Sequence, residues 1–555
     1  MILDDSNIAE NYPGICSPLT CSLTEETYRL VFTRLAERFL GSAADVEDIT
    51  GHMAVAHHGH MYYRLDNWLK MLRLLPFASR IVPLWRRSLG VPDSPLPPRP
   101  PVSRWRRYWM AWRLVRLWGA TPRLMTGLEE TFVGLTRDFE ARFPYETQAA
   151  SADCETGIAA LRDLFARLKA GVLADWDITL LNDMRAFVYT DLARRTGAEV
   201  RGVALESLKP VAALAELRTI PGQQVLEMLT TNEEVTSFLS SGTPLGSAMR
   251  DYIDQYGDRG PGELKLESET FRTTPLAFAQ LLGHGEGALQ GGGSRVPPSQ
   301  TACRDGNSER YVASRNKTSV RTRNPLARRA LEAVAHRESS RLNRARLYGM
   351  IRAIAHRAGS LLARGGFLDN PEDVFYLTLD EMLGQPADHR PVVAQRRRVW
   401  AEYAAAEIPS RITLDDPGDG LRTSGTVCQK SIRTFGSSTS YTVPMAHGLR
   451  GTPAAAGFAE GDVLVVTEPG VDATGRIVVT TATDPGWVFL LSTAAGVITE
   501  RGSPLSHTAI VCRELGVPAI VGVAGATQLL RTSDRVRMDA TTGKIEVINH
   551  VSLRN

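Results

Sequence analysis

With 555 residues, 43% of them hydrophobic and 23% charged, the chain is long enough to bury real cores in roughly two to four domains. A net charge of +3 points to no particular class of partner, and there is neither a basic leader followed by an apolar core nor a run of about 18 apolar residues. Six cysteines, at 16, 21, 154, 303, 428 and 512, form no CxxC pair, which fits a reducing compartment and speaks against a structural zinc. A cytoplasmic protein is expected, with neither membrane nor nucleic acid among its partners.

Residues 8–29 open with turn chemistry at Pro13-Gly14 and Ser17-Pro18 and pass into a first helix. From about 28 to 283 apolar residues recur every three or four positions, which predicts mostly helix. His52, His57, His58 and His60 crowd one stretch, but no carboxylate or cysteine motif accompanies them. They predict a helix face or a pocket wall, and no metal site is expected. Residues 93–102, DSPLPPRPPV, form a stiff linker. The basic, aromatic, amphipathic helix over 103–118 that follows suits either a membrane or polynucleotide surface, or tryptophans packed on the domain with arginine stems reaching outward. The packed arrangement is the expectation.

Residues 285–323 are low-complexity, with Gly291-Gly292-Gly293 and Pro297-Pro298, and predict a disordered or mobile connection. Helix returns at Pro325 and runs to about 365. Within it Arg337 and Arg341 lie one turn apart with Glu338 between them, either a cleft buttress or a solvated, ion-paired face. Residues 366–382 predict a strand and then a capped helix, and 392–406 a last helix. A linker over 411–446, rich in Gly and Ser from 415 to 440, is long enough to tether a moving domain.

From 447 to the end the chain becomes a run of short strands, at 462–466, 477–480, 536–539 and 543–548, which suits a compact β/α sandwich. Residues 496–522 predict strand, turn, short helix and strand. Ser506 is a good N-cap, Thr508 to Leu515 is helix-compatible, Gly516 suits the left-handed position past the helix end, and Pro518 forbids continuation. His507 then sits in the first turn, where backbone N–H groups without internal partners carry the positive end of the dipole and welcome a phosphoryl group. That potential favours neutral imidazole, whose lone pair can attack phosphorus. A histidine that merely caps or packs is the alternative.

Residues 499–522, TERGSPLSHTAIVCRELGVPAIVG, closely resemble the phosphohistidine signature of the phosphoenolpyruvate-utilising enzymes related to pyruvate, water dikinase (phosphoenolpyruvate synthase), pyruvate, phosphate dikinase and rifampicin phosphotransferase. The departures are Ser503 and Pro504 in the turn and Cys512 in the helix. Residues 8–22 resemble the opening of that family's central domain, and 59–69 and 366–382 resemble further segments of it. YGDRGPGELKLESETFRTTP, at 256–275, is similar to its Y-G-H-R-G segment, with Asp258 in place of His and Phe271-Arg272 in place of Arg-Trp. HRESSR, at 336–341, resembles its R-E-x-x-R helix, and Thr483-Asp484-Pro485-Gly486-Trp487 resembles the loop beside the phosphohistidine, in the form of the rifampicin phosphotransferase branch.

The resemblance implies a multidomain fold. A mostly α-helical, acceptor-binding domain over 1–410 would precede a C-terminal β/α swivelling phosphohistidine domain over 447–555. It implies His507 as the phosphorylated residue, with Ser506, Thr508, Glu500, Arg501, Gly502, Thr483 and Asp484 as its loop. On the acceptor side it points to Arg259 and Glu263, a guanidinium able to hold phosphoryl oxygens and a carboxylate able to take a proton from an attacking hydroxyl. A structural salt bridge is the alternative for that pair. Arg337, Glu338 and Arg341 complete the acceptor-side candidates. In this family the histidine relays the β-phosphoryl of ATP, leaving AMP and phosphate. An ATP-grasp domain is not apparent, nor is a GxxxxGK(S/T) loop. The expectation is therefore a phosphotransferase component whose ATP and Mg2+ are bound by a separately encoded ATP-grasp partner, and whose acceptor is a small organic molecule. A non-catalytic binding or regulatory protein retaining the fold is the alternative.

Overall fold

In the computed structural model Ser17 and Pro18 start the first long helix: the Ser17 hydroxyl accepts from the Thr20 N–H at 3.2 Å, and Pro18 fills the first helical position, where a missing N–H costs nothing. The structure describes residues 1–5, 8–40, 50–74, 78–79, 82–83, 86, 103–149, 153–171, 173–196, 209–260, 262–283, 324–406, 408–414, 449–467, 471–483, 487–502 and 506–549. The expected linker at 93–102, the low-complexity connection at 285–323 and residues 415–446 of the expected tether lie outside them.

The helices in order are α1 (Pro18–Leu40), α2 (Leu65–Leu74), α3 (Arg104–Ala149), α4 (Cys154–Gly171), α5 (Asp177–Arg195), α6 (Lys209–Arg218), α7 (Asn232–Leu239), α8 (Pro244–Tyr256), α9 (Pro275–Gly283), α10 (Pro325–Arg364), α11 (Leu379–Leu383), α12 (Arg390–Ala405), α13 (Val488–Thr493), α14 (His507–Leu515) and α15 (Ala526–Leu529). The strands are β1 (Ile2–Asp4), β2 (Ala54–His57), β3 (His60–Arg64), β4 (Arg411–Thr413), β5 (Leu449–Arg450), β6 (Thr452–Ala455), β7 (Phe458–Val465), β8 (Ile477–Thr480), β9 (Gly496–Thr499), β10 (Ala519–Val521), β11 (Arg535–Asp539) and β12 (Lys544–Asn549). The chain is helix-rich with a C-terminal β-rich domain. It divides into two compact units, one made of Met1–Ala186, Leu264–Glu267 and Asn343–Val443, the other of Phe187–Glu263, Ser268–Leu342 and Pro444–Asn555.

In the first unit α1, α2, α4 and the C-terminal part of α10 share one apolar core, in which Phe32, Trp68, Leu161 and Ile351 are all but fully buried. A small antiparallel sheet, in the order β2-β3-β1-β4, lies in the same unit. Residues 411–413 are thus strand rather than linker: Leu3 pairs with Ile412, and Arg411 binds the buried Asp4 carboxylate at 2.7 Å. Three residues are too few for a period-two pattern to be read. The histidine cluster is likewise a hairpin and not a helix face. His57 pairs with His60 across a two-residue turn whose residues, His58 and Gly59, both have positive φ, 49° and 72°. Burial lowers His57 to about 4, so its ring is neutral at pH 7. Among the described residues no group of His, Cys, Asp or Glu is arranged to hold a metal ion.

Two further expectations change. Residues 371–376 form a 3-10 helix rather than a strand, because Asn370 and Asp373 make a capping box around Pro371; the capped helix after it, α11, is present. In α3 the tryptophans at 105, 109 and 112 face solvent. The helix buries Met110, Thr121, Met125 and Phe132 instead, and that stripe lies half a turn away from the aromatic one.

A polar clamp ties the segment Leu264–Glu267 into this unit. Glu267 accepts from the Ser17 N–H at 2.8 Å and from the hydroxyls of Ser17 at 2.7 Å and Thr20 at 2.6 Å. The Thr20 hydroxyl in turn accepts from the Leu266 N–H at 2.8 Å. From the other side Arg352, on α10 and 2% exposed, donates to the carbonyls of Lys265 at 2.9 Å and Leu266 at 3.1 Å.

In the second unit the helical segment has its own core, with Val235, Met249 and Phe278 at its centre. The C-terminal domain is an eight-stranded sheet, in the order β5-β12-β11-β7-β8-β9-β10-β6. Strands β7, β8, β9 and β10 pair in parallel, and the remaining pairs are antiparallel. Strands β8, β9 and β10 are buried along their lengths, as the continuous run Ile477-Val478-Val479-Thr480 demands, whereas β7 alternates exposed and buried residues over its first half.

Two outcomes test this packing. Gly359, within α10, would place an added Cβ 2.1 Å from the Pro371 carbonyl oxygen. Gly359→Ala, which in an exposed helix would stabilise by about 1 kcal/mol, should here destabilise by roughly 1–3 kcal/mol, read from the denaturant midpoint. Glu25 on α1 accepts from the Ala56 N–H at 2.7 Å, but burial pushes its carboxyl up to about 7 from an ordinary 4.5. The folded chain therefore holds that proton more tightly than the unfolded chain, and stability falls as pH rises between those values. Glu25→Gln should melt at a higher temperature than wild type at about pH 8 and with it at about pH 4.

Candidate functional site

The parallel strands β8 and β9 end side by side, with Thr480 opposite Thr499, and the loops leaving their carboxyl ends converge on the start of α14. This is the end of a parallel sheet at which ligands ordinarily bind. Ser506 is extended (φ −62°, ψ 160°) and its hydroxyl accepts from the Ala509 N–H at 3.3 Å, while the Ile510 N–H reaches the Ser506 carbonyl at 3.1 Å. Gly516 closes the helix in the left-handed region at φ 72°, and the Val517 N–H returns to the Cys512 carbonyl. The backbone of His507 thus opens a nine-residue helix with no acidic residue in its first turn and Arg513 in its last. Nothing in that turn offsets the positive end of the dipole.

The buried hydroxyls of Thr483 and Thr508 hydrogen-bond to each other, tying the β8 loop to the first turn of α14. Gly502 has φ 123°, where a side chain would be strained and a Cβ would lie 3.3 Å from the Ser506 hydroxyl. Arg501 is fixed through its backbone: its N–H donates to the Thr481 carbonyl at 2.8 Å, and its carbonyl accepts from the buried Thr499 hydroxyl at 2.6 Å. Glu500 turns to α15, accepting from both the N–H and the hydroxyl of Thr527, at 2.7 and 2.5 Å. Thr527 is the partner that sequence reasoning missed, since nothing local links it to Glu500. Cys512, the departure inside the helix, is fully buried and its thiol is pushed up to about 12 by that burial, so it acts as a small apolar side chain. The His507 side chain, Asp484 and Pro504 lie outside the described residues.

In the helical segment Arg259 and Glu263 meet. One guanidinium nitrogen donates to both carboxylate oxygens, at 3.0 and 3.2 Å, and both side chains are buried. Asp258 and Arg272, two departures from the family pattern, also pair with each other: Arg272 Nε lies 3.3 Å from each Asp258 oxygen. The Arg272 guanidinium further donates to the carbonyls of Ile253 and Asp254, at 3.1 and 2.9 Å, in the last turn of α8. Arg337, Glu338 and Arg341 are buried on α10, with Arg337 over the Phe187 ring at 5.3 Å, so they form no solvated face. Ser506→Ala should remove the cap of α14 and cost about 1 kcal/mol, seen as an earlier unfolding midpoint.

Residues 472–543 match the mobile domain of the PEP-utilising enzymes. An uncharacterized protein of Mycobacterium tuberculosis is 26% identical over 574 residues, covering 99% of this chain and 61% of that protein. The rifampicin phosphotransferase of Streptomyces sviceus is 29% identical over 348 residues, 59% of this chain and 38% of that protein. The rifampicin phosphotransferase of Bacillus subtilis is 24% identical over 326 residues, 57% and 36% respectively. The chain spans at most about three fifths of the length of these curated relatives. The C-terminal β-rich domain, with the helix that His507 opens at the centre of the matched stretch, is thus similar to the mobile domain of PEP-utilising enzymes, and over somewhat more than half of its length the chain is similar to rifampicin phosphotransferases.

Proposed function

We propose that the protein is a phosphotransferase component in which His507 carries a phosphoryl group from ATP, bound by an ATP-grasp partner, to a small organic acceptor. The observation that carries this reading is the Ser506-capped, carboxylate-free first turn of α14 inside the matched mobile domain. A neutral imidazole nitrogen there attacks phosphorus, and the oriented N–H groups at the helix start take the charge of the transferred group. Magnesium acts with the nucleotide on the partner. In the second transfer an acceptor oxygen displaces the histidine nitrogen in line, and positioning and charge neutralisation supply most of the rate.

On the acceptor side we assign Arg259 to the phosphoryl oxygens and Glu263 to the proton of the attacking hydroxyl. Their pairing supports this: a guanidinium able to hold phosphoryl oxygens and a carboxylate able to accept a proton are fixed within hydrogen-bond reach of each other. Arg337, Glu338 and Arg341 are proposed as the charged wall of the same acceptor site. Their burial on one helix is what favours it over a surface role.

Incubation with magnesium ATP and an ATP-grasp partner should yield acid-labile phosphate that maps to the peptide containing His507 and is absent from His507→Ala. Glu263→Gln should still be labelled but pass phosphate on more slowly, by roughly 100-fold or more. Labelling that persists in His507→Ala overturns the assignment.

A further inference from the structure

Independently of the transfer reaction, α3 carries a surface that its packing leaves unused. Trp105, Tyr108, Trp109 and Trp112 recur at i, i+3, i+4 and i+7, the spacing of an apolar helix stripe, yet they are 84%, 66%, 42% and 58% exposed. Val115 extends the stripe by a turn and is 70% exposed. The opposite side of the helix already supplies the core contacts, through Met110, Met125 and Phe132, so folding does not account for the aromatic side. The charge is of one sign: six arginines, at 104, 106, 107, 113, 116 and 123, precede the first acidic residue of the helix, Glu129.

We infer that this face of α3 docks the protein on an anionic lipid surface. Tryptophan and tyrosine prefer the boundary between headgroups and acyl chains, with an apolar body inward and a polar edge in the headgroup layer, and flanking arginines meet the lipid phosphates. No described helix is long and apolar enough to cross a membrane, so the docking is peripheral. A polynucleotide would use the same charge but needs open ring faces for its bases. Two of the four rings already carry a cation on one face: the Arg113 guanidinium sits 4.6 Å from the Trp109 ring centre and Arg116 sits 5.5 Å from that of Trp112.

The test is co-sedimentation of the full chain with phosphatidylcholine vesicles and with vesicles containing about 30% phosphatidylglycerol, alongside tryptophan emission. Binding to the anionic vesicles alone, weakened by salt and accompanied by a blue shift, is expected. Arg113→Ala/Arg116→Ala should weaken it by roughly tenfold or more, and Trp105→Ala/Trp112→Ala should abolish the shift. Both variants alter side chains that are exposed or, for Arg113, half-buried on the helix surface, and should melt with wild type. If the tryptophan variant melts early, the arginine variant and the salt dependence decide. Three results overturn the proposal: no preference for anionic vesicles, tighter binding to a single-stranded oligonucleotide than to vesicles, or a concentration-dependent dimer that the tryptophan variant abolishes while vesicles stay unbound.

Discussion

The first helix of this protein is started by a carboxylate 250 residues away in the chain. Glu267 takes the Ser17 N–H and the hydroxyls of Ser17 and Thr20, and the backbone on either side of Leu266 is held in turn by Thr20 and Arg352. Each polar group in this clamp is buried or half-buried, and each of these bonds answers a donor or acceptor that would otherwise be stranded. Four residues thereby belong to the first unit although both of their flanking segments belong to the second. In the chain these four residues follow directly on the turn that carries Arg259 and Glu263.

The two candidate regions use different physics. Around the start of α14 the fixed groups are neutral: the buried hydroxyls of Ser506, Thr508, Thr483 and Thr499 tie the loops to one another. The nearby carboxylate of Glu500 is engaged by Thr527. The dipole of α14 adds positive potential at that helix start. In the helical segment the fixed groups are ions, paired and buried, and a buried pair of that kind holds geometry at a cost in desolvation. A neutral cradle suits a group that must gain and lose a phosphoryl; a preset ion pair suits one that must orient an incoming hydroxyl.

Much of this was legible in the sequence where the signal is local. Ser506 as cap, Gly516 as stop and the strand Ile477–Thr480 follow from rules that reach over a few residues, and the structure has each of them. The helix-rich body and the β-rich C-terminal domain follow from periodicity. What escaped was decided at longer range. The hairpin at His57–His60 turns on His58, a non-glycine residue at positive φ, and its partner strand β1 pairs in turn with residues 411–413. In α3 two opposed stripes both contain large apolar side chains, and the pattern alone does not say which one the core selects. Arg337, Glu338 and Arg341 have the spacing of a surface ion network, but the packing around α10 buries them.

The pairing of Asp258 with Arg272 makes the two positions dependent on each other. Each substitution alone departs from the family pattern, yet together they form one ion pair that also satisfies two carbonyls at the end of α8. A step back to histidine at 258 would set a partly cationic ring against the Arg272 guanidinium, and a step back at 272 would leave the Asp258 carboxylate without its counter-ion. The two positions are coupled through this one contact, so that a change at either alters what the other has to bind.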